Sequence, residues 1–245
     1  GALTVAEAIV MADRLHEIYT TGQSTLTNGE PWYQTYVDYA LENGIVQAGD
    51  FTSYTAKATR GQMAYLFSRA LPATVLPSIN NVQTLPDVTG STKYSQEIFS
   101  LYNAGVLTGS DVFGTFKPND NIIRAEAAAI LTRVALPEQR KTVVLMKQVQ
   151  WGVAKLAIPQ SAGAGVTENG MYTVTSEQDA CGVIATSVTD SAYKGLSVTV
   201  LTEQQMNNIL TQAFNSTDGK LSNAKSTKVS FGSVKAYRTV GILTT

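Results

Sequence analysis

IIRAEAAAILTRVA, residues 122–135, sets an arginine in the first turn of a short alanine-rich run, and it has counterparts. ATRGQMAYLFSRAL (58–71) and, more loosely, LTVAEAIVMADRLH (3–16) carry the same pattern. With Val5, Arg60 and Arg124 aligned, apolar residues coincide at Met11, Leu66 and Ile130. A basic residue recurs at Arg14, Arg69 and Arg133. Such periodicity predicts three amphipathic helices in one register, with alanine faces suited to close contact.

Each helix start has a physical reading. Thr4 with Glu7, and Thr59 with Gln62, have capping-box spacing. The third copy has Ile123 at the cap, so only Glu126 is left to favour its N-terminus. Arginine directly after a cap is electrostatically unfavourable, because the helix N-terminus already carries partial positive charge. Two readings follow for Arg60 and Arg124. Guanidinium and free amides together form an anion-binding corner. Alternatively, each stem packs over a neighbouring helix and the head pairs with a carboxylate.

A second helix is predicted before two of the copies, in PWYQTYVDYALENGIV (31–46) and TKYSQEIFSLYNAGVL (92–107). Val37 aligns with Ile98, Leu41 with Tyr102 and Ile45 with Val106. Gly44 and Gly105 stand where a left-handed C-cap is expected, and Pro31 is placed to open its helix. VLTGSDVFGTFKPNDNII (106–123) reads as turns.

These pieces resemble the S-layer homology (SLH) domain family. LPDV (85–88) followed by EIFSLYNAGVLTGSDVFGTFKPNDNIIRAEAAAILTR (97–133) is the fullest copy. The resemblance runs over about residues 3–136: a partial repeat in 1–20, a second over about 30–71 and a third over about 85–136. It implies helical hairpins packed as an all-α, trefoil-like bundle. It also implies non-covalent anchoring to a secondary cell-wall polysaccharide, often pyruvylated, with the ligand in grooves between repeats. Carried over by position, the ligand-binding residues are Arg60, Arg124 and Trp32. Lys93 takes the tryptophan's place in the third repeat, with Tyr94 beside it, and Val5 replaces arginine in the first. One or two competent grooves are therefore expected. Gly109 and Gly114, in the third repeat's turn, are further candidates whose other role is to permit positive φ. A ketal carboxylate suits a bidentate guanidinium, and an indole face suits the C–H surface of a sugar.

The totals agree with a packable chain. Of 245 residues, 44% are hydrophobic and 15% charged. The formal net charge of -1 gives no reason to expect a nucleic-acid partner. One cysteine, Cys181, excludes an intrachain disulfide, and with the single His16 it argues against a zinc or haem site. No cofactor is expected. No apolar run is long enough to span a membrane. No signal peptide is visible, and a leader removed upstream is the expectation.

Residues 1–140 are net acidic (9 basic, 13 acidic), whereas 141–245 are net basic (9 basic, 6 acidic), which places a domain boundary near LPEQRKTVV (136–144). Beyond it, VAKLAIP, GMYTVTS, CGVIATSV and LSVTVL read as short strands. TEQQMNNILTQAFNS (202–216) reads as a helix with Met206, Ile209, Leu210 and Phe214 on one stripe, and residues 227–245 as a hairpin. The expectation for 141–245 is an α+β domain with an antiparallel sheet, similar to PsbP/Mog1-like proteins in element order only. No catalytic set is evident in it. It lacks histidine, Cys181 sits in an apolar strand, and Glu168, Glu177, Asp179 and Asp190 are scattered. Tyr237 and Arg238 read as part of a sheet surface or a binding face. The leading function is anchoring of an extracellular protein to the bacterial cell wall. The alternatives are a cell-surface hydrolase with a catalytic C-terminal domain, or a structural protein-interaction module with degenerate repeats.

Overall fold

The computed structural model describes residues 1–151, 154–168, 171–176, 181–186, 201–214, 220–231 and 234–244. Helices occupy the N-terminal half: α1 (Val5–Thr21), α2 (Gln34–Glu42), α3 (Arg60–Arg69), α4 (Ser95–Asn103) and α5 (Arg124–Ala135). Small sheets follow. β1 (Met146–Trp151) pairs antiparallel with β2 (Ala154–Pro159), and β3 (Val166–Glu168), β4 (Met171–Ser176) and β5 (Cys181–Thr186) form a sheet in that order. Helix α6 (Glu203–Phe214) precedes the long antiparallel hairpin of β6 (Lys220–Phe231) and β7 (Val234–Thr244).

The chain separates into two compact units. The first, Gly1–Val166 with Thr173–Ile184, contains the five helices. The second, Thr167–Tyr172 with Ala185–Thr245, contains α6 and the long hairpin. There, α6 packs on β6, and the Ser226 hydroxyl donates to Asn207 Oδ1 at 3.3 Å. Met206 on the predicted stripe is half-buried, whereas Ile209 is exposed. Strand β1 was not apparent in the sequence, and β6 begins well before residue 227. The run at 196–200, Glu177, Asp179, Asp190 and the side chains of Cys181, Leu210, Phe214 and Arg238 lie outside the described residues.

In the first unit, three helix entries are tied in a closed cycle. The Leu3 amide donates to the Ile122 carbonyl at 3.0 Å, Ile122 to Ala58 at 3.0 Å, and Ala58 back to Leu3 at 2.9 Å. Two residues on, the opening amides of α1, α3 and α5 donate in the opposite sense round the cycle: Val5 donates to Ala56, Arg60 to Asp120, and Arg124 to Gly1. Ala6 and Gly61 are bonded likewise, to Tyr54 and Pro118. A helix N-terminus normally leaves its first four amides unpaired. In α1 and α3 the first two helical amides are taken by neighbouring backbone, and Thr4 and Thr59 accept from the third-position amides at 3.2 Å, whereas in α5 the Arg124 amide is taken by Gly1. The free-amide corner expected beside Arg60 is therefore filled. Both predicted capping boxes form.

Below the cycle, alanines at Ala8, Ala12, Ala64 and Ala127 let the helices approach, and Ile9, Met63, Leu66, Phe67, Tyr36, Ile98, Tyr102 and Phe116 fill the space between them. Gly44 and Gly105 both have positive φ, as expected beyond α2 and α4. Pro31 lies ahead of its helix, where its carbonyl accepts from the Gln34 amide, so it opens a turn and not the first helical position.

Two buried side-chain groups have no hydrogen-bond partner among the described residues, the Tyr94 hydroxyl and the Asp13 carboxyl. Both carboxyl oxygens of Asp13 are sealed in α1 without a hydrogen bond. Neighbouring Glu17 is satisfied by the Thr25 amide at 2.7 Å and hydroxyl, and by the Leu26 amide. Burial first, and then the Glu17 charge, raise the Asp13 carboxyl from 3.8 to about 8. The folded chain thus holds this proton more tightly than the unfolded one, and stability falls as pH climbs from about 4 through 8. Asp13→Asn should raise the melting temperature at pH 8, with the gain shrinking towards pH 5 in thermal scans. The uncapped start of α5 gives a second expectation. Ile123→Thr supplies the missing acceptor for the Glu126 amide and should stabilise by up to about 1 kcal/mol in urea denaturation. Thr59→Ala should cost a similar amount, about 0.5–2 kcal/mol.

Candidate functional site

The two arginines sit at equivalent places and have different surroundings. At the start of α3, Arg60 Nη1 pairs with Glu126 Oε1 at 2.6 Å, and its Nε donates to the Phe116 carbonyl at 2.7 Å. Its guanidinium lies 5.1 Å from the Phe116 ring centroid, and the side chain is 13% exposed. Glu126 is itself committed, because its other oxygen accepts from the Ile123 amide at 3.2 Å, which is the surviving half of the third capping box. Arg60 is a clamp between helices.

Arg124, at the start of α5, pairs with the Glu7 carboxylate of α1 and is 55% exposed. The second Glu7 oxygen accepts from the Thr4 amide at 2.7 Å. The Thr4 amide and hydroxyl, together with the Arg124 charge, hold the Glu7 carboxyl below its usual range against a smaller opposing effect of burial. Both pairs follow one rule: the acid at the third helical position caps its own helix and takes the arginine of another. At the third such place the positions are held by Gln62 and Val5, neutral on both sides. The sequence contained this matching, but only the cyclic order of the helices reveals which positions to compare.

A cavity of about 510 Å³ opens beside Arg124, lined by α1 and α5 residues and by Trp32. Trp32 is 42% exposed and stands edge-on to Tyr33, with centroids 5.6 Å apart. Besides Arg124, Trp32, Glu7 and Arg14 the lining is aliphatic, with Leu3, Met11, Leu15 and Leu131 among its residues. The remaining candidates do not line this cavity. Exposed Lys93 has its ammonium 4.8 Å from the Tyr94 ring, and Tyr94 in turn stacks on Tyr65 at 4.8 Å. Gly109 and Gly114 both have positive φ and face each other so closely that a Cβ on Gly109 would lie 2.7 Å from the Gly114 Cα.

That turn has a framework the motif alone did not disclose. Asp87, from LPDV, accepts from the Phe116 and Lys117 amides at 2.9 and 2.6 Å. Asp111 accepts from the Phe113 and Thr115 amides and the Thr115 hydroxyl. The Thr115 hydroxyl, followed by these amides, draws the Asp111 carboxyl below its usual range. Tyr102 donates to the Gly114 carbonyl at 2.9 Å from beneath. Segment 84–128, which contains this turn, α4 and the Arg124 helix start, matches the S-layer homology domain family.

The chain carries an S-layer homology domain. SLH domains serve cell-surface association in bacteria through cell-wall polymers. No curated protein matches the chain. Among the described residues there is no cluster of three or more His, Cys, Asp or Glu able to hold a metal ion, and no helix is long and apolar enough to cross a membrane.

The contrast between the arginines has a measurable consequence. Arg60→Ala removes a largely buried clamp and leaves Glu126 without its cation, at an expected cost of about 2–4 kcal/mol. Arg124→Ala breaks an exposed pair and should cost under about 1 kcal/mol. Denaturant unfolding of the two variants checks the difference, and equal losses would contradict it.

Proposed function

We propose that this protein is anchored non-covalently to the bacterial cell surface by a trefoil-like bundle of SLH repeats within residues 1–140. Its ligand is a negatively charged secondary wall polysaccharide, of which a pyruvylated one is the best chemical match. The observation that carries this reading is the shared cavity of Arg124 and Trp32. An exposed guanidinium with one carboxylate partner keeps further donors for a ketal carboxylate. The indole and the aliphatic wall offer apolar surface to the sugar's C–H face. Arg60 has its head occupied and belongs to the scaffold of this proposal, so the binding unit is one groove with Arg124 at its centre. Lys93, Gly109 and Gly114 are then supporting residues of the third repeat. Residues 141–245 form the portion displayed outward from the wall.

Intact sacculi should co-sediment with the full chain, and sacculi stripped of secondary polymer should not. Arg124→Ala and Trp32→Ala should each weaken binding about tenfold, the loss of roughly one charge-assisted or stacking contact. A folded chain that stays in the supernatant with intact sacculi would refute the proposal.

A further inference from the structure

A second cavity, of about 460 Å³, lies where Thr84, Leu85 and Pro86 and the turn after α4 meet the β1–β2 hairpin. It draws on both sides of the boundary expected near 136–144, yet all of it falls within the compact unit of the five helices. Its frame is fixed by backbone. The Met146 amide donates to the Val112 carbonyl at 2.8 Å, and the Gln160 amide to the Leu145 carbonyl at 2.8 Å, so the hairpin is tied to the turn. Gly114 makes the fit possible. A Cβ there would lie 2.7 Å from Leu145 Cδ1 and 3.0 Å from Leu85 Cδ2, so its absence lets both leucines pack against the turn. Leu85 is buried and lines the cavity.

The polar groups of this lining are either spent or uncharged. Lys147, its one ionisable residue, donates its ammonium to the Gln160 carbonyl at 3.2 Å and to the Ala162 carbonyl. The Thr115 hydroxyl is given to Asp111. Two carboxamides are left. That of half-buried Gln160 is held only at the limit of hydrogen-bonding distance, by the Thr84 hydroxyl at 3.4 Å and to the Met146 carbonyl at 3.5 Å. That of exposed Gln148 has no partner among the described residues. Beside them, half-buried Phe113 and Met146 and exposed Pro86 present apolar surface. The Arg124 cavity differs in kind, since Glu7, Arg14 and Arg124 put charge into its lining.

We infer that this cavity is a second saccharide site, for an uncharged sugar ring. A carboxamide donates through its nitrogen and accepts through its oxygen, and a hydroxyl does both, so neighbouring sugar hydroxyls satisfy Gln148 and Gln160 in either sense. The C–H face of the ring lies on Phe113, Pro86 and Met146. A charged ligand finds no free counter-ion in the lining and loses its hydration without compensation. The volume is within the range usual for small-molecule sites, about 300–1,000 Å³. The inference rests on the anchoring reading for the source of the sugar alone: the wall polymer that offers a charged unit to Arg124 offers an uncharged one here. The β1–β2 hairpin then works with the repeats, and the outward portion begins beyond it.

The test titrates the full chain with two uncharged disaccharides, cellobiose and N,N′-diacetylchitobiose, and follows amide chemical shifts. At least one sugar should give saturable shifts at Leu85, Phe113, Thr115 and Gln148, and in the side-chain amides of Gln148 and Gln160. Gln148→Ala should weaken that binding about three- to tenfold, the loss of one or two hydrogen bonds, and Phe113→Ala by a similar factor. Gln148 is exposed, so its variant should keep the spectrum of the unbound parent elsewhere in the chain. Arg124→Ala should leave the disaccharide affinity unchanged. No saturable shift with either sugar well above millimolar, or an affinity unmoved by Gln148→Ala or by Phe113→Ala, would overturn the inference. So would shifts confined to the Arg124–Trp32 cavity, which would put every sugar in one groove. Sacculus co-sedimentation of Arg124→Ala scores the anchoring proposal separately, because neither disaccharide carries a charge for that arginine to hold.

Discussion

Three backbone hydrogen bonds, from Leu3 to Ile122, Ile122 to Ala58 and Ala58 to Leu3, join segments that are remote in the chain. Each is an ordinary amide–carbonyl bond of modest net worth. Their importance lies in geometry. A cycle of three fixes where three helices begin, and with that the faces they turn to each other. The alanine stripes, capping boxes and arginine–carboxylate pairs all depend on those starting points. The opening amides of α1 and α3 are also taken up in this region, whereas at the start of α5 Ile123 offers the Glu126 amide no side-chain acceptor.

The repeat supplied three helices with one arginine position, yet their three environments differ. Arg60 is enclosed by Phe116 and Glu126, Arg124 faces an open groove, and Val5 is apolar and buried. The cause is unequal surroundings. The turn after α4 covers Arg60, whereas nothing comparable among the described residues covers Arg124, which is 55% exposed. Identical local sequence therefore gives a structural strut at one place and an accessible cation at another. Accessibility at this register position depends on what is missing next to a helix as much as on what the helix carries.

The helices and their register were legible from residues 3–136 because period, caps and left-handed glycines are local signals. Arg124 and Trp32 were each singled out through resemblance, but their sharing of one cavity was not legible, since nothing local brings a residue before α2 to the first turn of α5. The capping acids Glu7 and Glu126 were visible as caps, but their second task, holding an arginine of another helix, needed the cyclic order. Pro31 misled because its neighbours extend the helical pattern, while its own turn precedes it. In the second half, β1 was obscured because MKQVQW alternates weakly, with polar residues on both faces. It becomes a strand through its pairing with β2.

Arg124 and Glu7 are 117 positions apart in the chain, and the backbone cycle bridges a similar span. Closing such a loop costs configurational entropy before any contact compensates it. Topologies dominated by remote contacts assemble slowly for this reason. During synthesis, α1 must wait for the last of the three arginine helices before its opening segment has both neighbours. Until then its half-finished edge is exposed, at the stage when a nascent chain is most vulnerable to adhesion and proteolysis.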